Sequence, residues 1–363
     1  MKNTVLSAVH LRQGVKMGEF QGWSLPLQFG DLEDEYHAVR SAAGLFDIGF
    51  LGRIELSGPG AEPLLQKLFT RDILSLPDGQ AVYGLFCNDQ GGILDAAVVL
   101  KLPPAKTGTS FLVTTNAIAT DEIVAWLSRH AAGSVAVTDK TAELAQIALQ
   151  GPRSDAVLDG CTGARRRKLR QKQVREFEVL GIKAVVSRIG FTGERGYELI
   201  VPADRAEQLW SGLLSAGKER GLLPCGMNCR DILRMEAGYV LPGLDVTGTR
   251  SPLEAGLMMV VDLHKDFPGK DSLVAQKQHG PEKRLIGFEL FDKGIPKTGA
   301  TIFSENREIG TVTSASHSYH RRRDVGLGYV IARYALAGQE IEVEIKDREI
   351  AAKVVDLPFY RKK

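Results

Sequence analysis

The sequence predicts an α+β protein in which two mixed units with antiparallel sheets precede a small C-terminal β-barrel. Between about residues 50 and 130 the segments run strand, helix, hairpin, strand, helix, an order typical of an antiparallel α+β unit. Residues 141–254 show a second such mixture. From about residue 281 short strands alternate with turns and no helix intervenes, which favours a barrel. The 363 residues also exceed one ordinary core, so we expect two or three domains.

The first mixed unit follows from hydrophobic spacing and turn residues. Apolar residues three and four apart indicate one face of a helix, and a Gly-Gly turn between two apolar segments indicates a hairpin. The elements expected are a strand at 52–58, a helix carrying Leu64, Leu65, Leu68 and Phe69, a hairpin turn at Gln90-Gly91-Gly92, a strand at 110–113 and a helix from about Asp121 to His130.

The second mixed unit contains three strand-like segments and two helices. Asp204 and Glu207 have the D-x-x-E spacing of a capping box ahead of a helix that carries Trp210 and Leu213. Another helix is expected from about Asn228 to Gly238. The strand-like segments are LAQIALQG at 144–151, KAVVSRIG at 183–190 and YELIVP at 197–202.

The composition is that of an ordinary globular protein, and its net charge gives no general electrostatic attraction to polyanions. Lys and Arg number 46 against 44 Asp and Glu, and the net charge of +2 predicts neither nucleic-acid nor membrane binding. Four scattered cysteines are no disulfide framework and favour reduced thiols. No apolar run approaches the roughly 20 residues that span a bilayer, so we expect a cytoplasmic protein.

Two motifs invite functional interpretations that their context disfavours. Gly190, Gly193 and Gly196 have phosphate-loop spacing, but a strand follows them where a dinucleotide site needs a helix. A hairpin whose backbone approaches another group closely fits better. Cys225 and Cys229 lack a second pair or nearby histidines, so buried thiols are favoured over a metal site.

Two basic runs are the largest charge blocks, at 165–170 and 321–323. Solvated loop faces explain most such runs, and the functional alternative is a dock for an acidic protein or RNA. Only Tyr319 lies beside the second run, so base stacking is poorly supported.

Glu198 and Arg230 are the charged residues of most interest. Glu198 lies in a strand whose neighbours Tyr197 and Leu199 point to the opposite face. Arg230 lies at the start of a helix rich in charge. An ordinary ion pair and a binding role remain equally open for them on sequence alone.

Several segments are informative together through their order and spacing. They are MGEFQGWSLPLQFG and HAVRSAAGLFDI within 17–48, LPDGQAVYGLFCNDQGGILDAAVV at 76–99, LQGP at 149–152, SRIGFTGERGYEL at 187–199, PCGMNCRDILRMEAGYVL at 224–241, SPLEAGL at 251–257, DFPGKDSL at 266–273 and LPFYR at 357–361. Taken together, more than any one of them alone, they resemble the glycine cleavage T-protein (aminomethyltransferase) family across nearly the whole chain.

The resemblance implies a three-domain T-protein-like arrangement around a folate pocket. The implied domains are residues 1–53 with 139–254, residues 54–138 with 255–281, and a barrel at 282–363. In the family, the lipoyl-carrying H-protein presents an aminomethyl group, and the T-protein transfers its one-carbon unit to tetrahydrofolate and releases ammonia.

The resemblance also implies folate contacts at Tyr83, Asn116, Glu198, Arg230 and Tyr239. A carboxylate accepts the adjacent N–H and amino groups of a pterin, and a guanidinium offers a planar donor fork. Tyrosines line aromatic rings while their hydroxyls keep polar partners. The Asn116 amide both donates and accepts, although a turn residue closing the strand explains it equally well.

Departures from the family pattern concern reactive groups more than binding groups. The family carries two adjacent aspartates after the Gly-Gly turn, and here the pair is Asp95-Ala96. The functional second aspartate is thus Ala96. Asp95 points to the other face of the strand, so it is a catalytic candidate only if a bulge re-aims it.

Three further family positions differ here. The family's Ser-His pair corresponds to Gly49-Phe50, a tyrosine of the glycine-rich hairpin is Phe191, and a Leu-Tyr-Gly motif reads Leu241-Pro242-Gly243.

Four functions therefore compete. The first is a true aminomethyltransferase, and the second is a folate-binding accessory protein of the branch that maintains iron–sulfur clusters. That branch's Lys-Gly-Cys signature is absent from the sequence. A folate-dependent demethylase and a folate-binding relic with a structural role complete the set.

Overall fold

The computed structural model describes residues 1–103, 110–163 and 168–362. The chain divides into two compact units, the first formed by Met1–Phe86 with Asp95–Arg230 and the second by Cys87–Leu94 with Asp231–Lys363. The three-domain boundaries implied by the resemblance stay a prediction. None of the helices in the described part of the chain has the length and apolarity needed to cross a membrane.

The first unit contains fourteen named strands and six helices among the described residues, and a seventh helix crosses its end. The strands are β1 Lys2–Asn3, β2 Lys16–Phe20, β3 Trp23–Gln28, β4 Ala43–Asp47, β5 Gly52–Ser57, β6 Gln80–Cys87, β7 Ile93–Lys101, β8 Ser110–Thr115, β9 Ala136–Asp139, β10 Leu144–Gln150, β11 Val174–Val179, β12 Ile182–Ser187, β13 Gly196–Pro202 and β14 Leu222–Pro224. The helices are α1 Ser7–Arg12, α2 Leu32–Ser41, α3 Ala61–Leu68, α4 Thr120–His130, α5 Ser154–Gly160, α6 Ala206–Gly217 and α7 Met227–Glu236.

These strands form three sheets. Their orders are β1-β3-β2, β11-β12-β13-β10-β4-β14 and β6-β7-β8-β5-β9. Strand β13 pairs antiparallel with both β10 and β12, and β8 pairs antiparallel with β5 and β7. The expected antiparallel α+β architecture is therefore confirmed, with parallel pairing confined to short β1 and β14.

One face of the six-stranded sheet packs on helices. Tyr197 and Leu199 of β13 point into this core, where Trp210 and Leu213 extend from α6. The expected capping box is wrong, because Asp204 lies in a 3-10 turn and α6 begins after Arg205 without a side-chain cap.

The other face of the six-stranded sheet meets the five-stranded sheet through a small apolar cluster. Ile200 of β13 packs there with Leu100 of β7 and Leu112 of β8. Side chains two residues apart share a face of a strand. Glu198 and Ala96 therefore lie on the two sheet faces that this cluster joins.

Among its described residues, the second unit contains one further α-helix and a closed six-stranded barrel. Strand β15 pairs antiparallel with both β18 and β20, which closes the sheet. The predicted C-terminal barrel is confirmed. The elements are α8 Lys270–His279, β15 Lys283–Leu290, β16 Thr301–Ser304, β17 Arg307–Ser318, β18 Arg323–Ile331, β19 Glu340–Ile345 and β20 Arg348–Val355.

Candidate functional site

Glu198 is a buried carboxylate near the start of β13. Across the sheet it lies opposite Ala148 of β10 and Ser187 of β12. Its Oε2 accepts a hydrogen bond from Nε2 of Gln146 at 2.7 Å, which is the one hydrogen bond that its carboxylate receives from the described residues. A carboxylate has about four acceptor positions. The group is therefore short of donors within the chain.

Arg230 lies in the first turns of α7, and its charge acts on Glu198. Burial raises the pKa of the Glu198 carboxyl above its ordinary value, while the nearby Arg230 and the bond from Gln146 lower that pKa. The structure thus brings together the two residues that the sequence singled out. The balance leaves a carboxylate whose ionised form gains from further donors.

Aromatic rings cover the guanidinium of Arg230. Its Cζ lies 4.6 Å from the ring centroid of Phe191 and 5.9 Å from that of Phe50. Both phenylalanines occupy positions where the resemblance implied polar residues. Cation–π contacts of this kind hold a guanidinium plane in place.

The glycine-rich hairpin closes over the side chain of Gln150. An added Cβ at Gly190 would lie 1.9 Å from its Oε1, and one at Gly196 would lie 2.3 Å from its Cδ. The close approach expected of these glycines is therefore to Gln150. Strand β13 begins at Gly196, so the helix that a phosphate loop requires does not follow.

Asp95 and Asn116 form a second polar pair, at the ends of β7 and β8. Oδ1 of Asp95 accepts from Nδ2 of Asn116 at 2.8 Å, and its Oδ2 accepts from the Asn116 backbone N–H at 3.1 Å. Nδ2 also donates to the Ala96 carbonyl at 2.9 Å. Burial raises the pKa of Asp95 to about 7, against the opposing effect of the Asn116 bonds.

The two tyrosines implied as folate contacts fall in different units. Tyr83 lies on β6 in the first unit and is partly exposed. Tyr239 follows α7 in the second unit, where its backbone N–H donates to the Arg234 carbonyl at 2.9 Å. Burial raises the pKa of the Tyr239 phenol.

Glu35, Cys225 and Cys229 also meet, with their ligand-type atoms within 4.8 Å of one another. The Glu35 carboxylate already accepts from the backbone N–H groups of Phe29, Gly30 and Gly226. Burial raises the pKa of the Cys225 thiol well above its ordinary value, which disfavours the thiolate that a metal requires. The carboxylate joins chain segments here, and the absence of a metal stays a prediction.

The second basic run is tied into the barrel. Nε of Arg321 pairs with Glu289, and a guanidinium nitrogen of Arg323 donates to the Leu290 carbonyl at 3.3 Å. In the first run, residues 165–167 lie outside the described residues. Lys168 and Arg170 are exposed.

Comparison with known proteins decides the family. Residues 6–265 match the GCVT N-terminal domain, and residues 283–361 match the glycine cleavage T-protein C-terminal barrel domain. The chain belongs to the glycine cleavage T-protein family.

The chain is similar to several relatives over nearly their full length. An aminomethyltransferase of Geobacillus thermodenitrificans is 41% identical over 365 residues, covering 100% of this chain and 99% of the relative. One from Geobacillus kaustophilus is 40% identical with the same coverage. The crystal structure of glycine cleavage system aminomethyltransferase T from Bartonella henselae superposes with a TM-score of 0.91, at 31% identity, covering 99% of this chain and 98% of that one.

Sequence reasoning missed Gln146 as part of the site. The available signal was a glutamine in the apolar segment LAQIALQ, four residues before Gln150 and on the same face of β10. Both glutamines are buried, but only the structure shows that they have different partners: Gln146 bonds Glu198, whereas Gln150 bonds the glycine-rich hairpin.

Proposed function

We propose that this chain is a tetrahydrofolate-dependent aminomethyltransferase. In this proposal it takes a one-carbon unit from the aminomethyl-lipoyl arm of the H-protein and releases ammonia. The observation that carries the proposal is the buried Glu198 carboxylate, which receives one hydrogen bond from the described residues and lies beside Arg230. Full-length relatives named aminomethyltransferase support the same reaction.

The residues present fit a reduced folate. Glu198 has acceptor positions left for the adjacent N–H and amino groups of a pterin, and Arg230 offers a planar donor fork held against Phe191. Tetrahydrofolate supplies, when bound, the nitrogens that take up the one-carbon unit. Tyr83 is the proposed contact to its rings from the first unit, and a contact from Tyr239 stays a prediction of the resemblance.

Asn116 is a proposed folate contact whose orientation Asp95 sets. Both donor bonds of Nδ2 go to Asp95 and to the Ala96 carbonyl. Its Oδ1 is therefore the atom left to accept a hydrogen bond from a ligand. These contacts favour a positioning role for Asp95 over the catalytic role considered from sequence.

Ala96 favours a second candidate function. Its side chain lies on the inter-sheet face where the family's functional aspartate belongs, and a methyl group there offers no carboxylate. A positioned acid–base group typically contributes about two to four decades in rate. A folate-dependent demethylase or a folate-binding accessory protein is therefore the alternative if aminomethyl transfer fails.

The deciding experiment combines the protein, tetrahydrofolate and aminomethylated carrier, and measures ammonia release. We expect saturable folate binding and ammonia above the uncatalysed rate. Ala96→Asp should raise that rate by about two decades, because it restores a carboxylate on the proposed reactive face. Folate binding without ammonia release in both proteins contradicts the transferase proposal.

Folate binding itself needs a separate control. Glu198→Gln should weaken it, whereas Asp292→Asn, an exposed change in the second unit, should leave it unchanged.

The four cysteines are buried and unpaired, which supports our proposal of a cytoplasmic, reducing location.

A further inference from the structure

The hydrogen bonding of the buried Gln146 side chain is not explained by the stability of the fold. Its side chain is buried in the middle of β10, and Nε2 donates to Glu198 at 2.7 Å. Because a carboxylate accepts hydrogen bonds, the amide oxygen faces away from Glu198. That Oε1 is buried and has no hydrogen-bond partner among the described residues.

An unpaired buried carbonyl is unfavourable, since it gives up water without replacing it. Ile200 lies directly opposite Gln146 on β13 and belongs to the apolar cluster between the sheets. A leucine at position 146 would suit that neighbour and remove the unpaired amide oxygen, but it would take away the hydrogen bond that the Glu198 carboxylate receives. The hydrogen bond to Glu198 therefore explains why an amide occupies this position.

We propose that Gln146 is a positioning residue. It holds the Glu198 carboxylate through Oε2 of Glu198 and leaves Oε1 of Glu198 for the donor groups of the ligand. This inference rests on the proposed function, because it takes the ligand to be a reduced folate. Two neighbouring donors of a pterin need a carboxylate held in one orientation.

The charged surroundings of Glu198 make this role measurable through pH. Arg230 of α7 is the charged group whose field acts on the carboxyl, and Gln146 supplies its hydrogen bond. The residues opposite it on the flanking strands, Ala148 and Ser187, do not titrate. Losing the Gln146 donor should therefore raise the pKa of Glu198 and move the loss of folate binding to higher pH.

The test compares tetrahydrofolate affinity across pH 5 to 9 for three proteins. Gln146→Leu should bind about 10- to 100-fold more weakly at pH 7, the usual range for losing a hydrogen bond to a charged group. As the solution is acidified, the affinity of Gln146→Leu should begin to fall at a higher pH than the affinity of the wild type. Gln146→Glu should show a displacement in the same direction, because a second carboxylate beside Glu198 disfavours its ionisation and so raises its pKa.

Gln150→Leu is the matched control. Gln150 is equally buried on the same strand, but it bonds the carbonyls of Ile189 and Tyr197. Its loss should lower the melting temperature without shifting the pH at which folate binding declines. Gln146→Leu removes an unpaired acceptor as well as a hydrogen bond, so it should lower the melting temperature less than Gln150→Leu does.

A ligand-free measurement separates this inference from the proposed function. In a ¹³C-carboxyl NMR titration, Gln146→Leu should raise the pKa of Glu198 and Gln150→Leu should not. If the wild type binds no folate while that shift appears, the proposed function fails and the positioning role stands. An unchanged Glu198 titration, or wild-type affinity and pH profile in Gln146→Leu, overturns the inference.

Discussion

Two buried carboxylates in the first unit meet the same physical difficulty in different ways. Both carboxylate oxygens of the buried Asp95 accept hydrogen bonds from Asn116. The Glu198 carboxylate accepts one hydrogen bond from the described residues, which Gln146 donates. A carboxylate short of donors is unfavourable in the free protein and gains when a ligand supplies them. The contrast supports the proposal that Glu198 serves binding, whereas Asp95 serves the chain's own geometry.

Asp95 should make stability depend on pH. Its folded-state pKa of about 7 lies above the ordinary value of 3.8, so the native state holds a proton that the unfolded state releases. Its contribution to the free energy of unfolding should therefore decrease as pH rises from about 4 to 7. The unfolding free energy of wild type minus that of Asp95→Ala, measured in urea, should shrink over this range.

The matched substitution is Asp292→Ala, at an exposed position. It should change stability by no more than about 0.5 kcal/mol at any pH. A difference between wild type and Asp95→Ala that stays constant from pH 5 to 8 would show that Asp95 is ionised throughout.

At the scale of elements, the hairpin between β12 and β13 is shaped by what it encloses. Gln150 bonds the Ile189 and Tyr197 carbonyls, and its Oε1 accepts from the Thr192 hydroxyl at 3.1 Å. Glycines at 190 and 196 leave room for that amide. The hairpin in turn carries Phe191 onto Arg230.

Gly196→Ala should destabilise the protein by about 1–3 kcal/mol, the usual cost of overpacking a filled site. The added methyl would lie 2.3 Å from Cδ of Gln150, and moving the amide would break its bonds to the hairpin. Thermal unfolding measures the effect. Gly133→Ala is the control, since nothing lies within 4 Å of its Cβ position.

A double substitution tests the stated cause. If Gln150 is the obstacle, Gly196→Ala should cost much less stability in a Gln150→Ala background than in the wild type. Equal costs in both backgrounds would locate the strain elsewhere.

At the scale of the whole molecule, the chain consists of two units with their own cores. In the second unit the end of the chain contributes to the core, because Phe359 packs with Met235, Val325 and Leu327. The backbone N–H of Tyr360 donates to the Glu236 carbonyl at 2.7 Å. The C-terminal segment therefore stabilises the barrel unit after its last strand has ended.

Phe359→Ala should lower stability by about 3 kcal/mol, because it empties a buried site in this cluster. Calorimetry of the full chain measures the loss. Phe291→Ala removes the same side chain from a position that is 49% exposed and should cost no more than about 0.5 kcal/mol. Similar losses in both variants would contradict a packing role for the C-terminal segment.

Local patterns in the sequence predicted most elements and the fold class. The barrel strands begin at Lys283, close to the expected residue 281, and helix α4 lies within a residue of its expected place. The predicted capping box is wrong because Asp204 lies in a 3-10 turn. The spacing of Asp204 and Glu207 does not reveal that this turn forms in place of the cap. The expected helix to Gly238 ends at Glu236.

By itself, the sequence determined the α+β class, the C-terminal barrel and the resemblance to a folate-using family, because periodicity, turn residues and motif order are properties of neighbouring residues. Only the tertiary structure decided that Arg230 acts on Glu198, that Asp95 bonds Asn116 and that Gln146 faces the Glu198 carboxylate. These groups are 32, 21 and 52 positions apart by their residue numbers. Their interactions depend on burial and on distances across sheets, which arise when the strands pair and the helices pack.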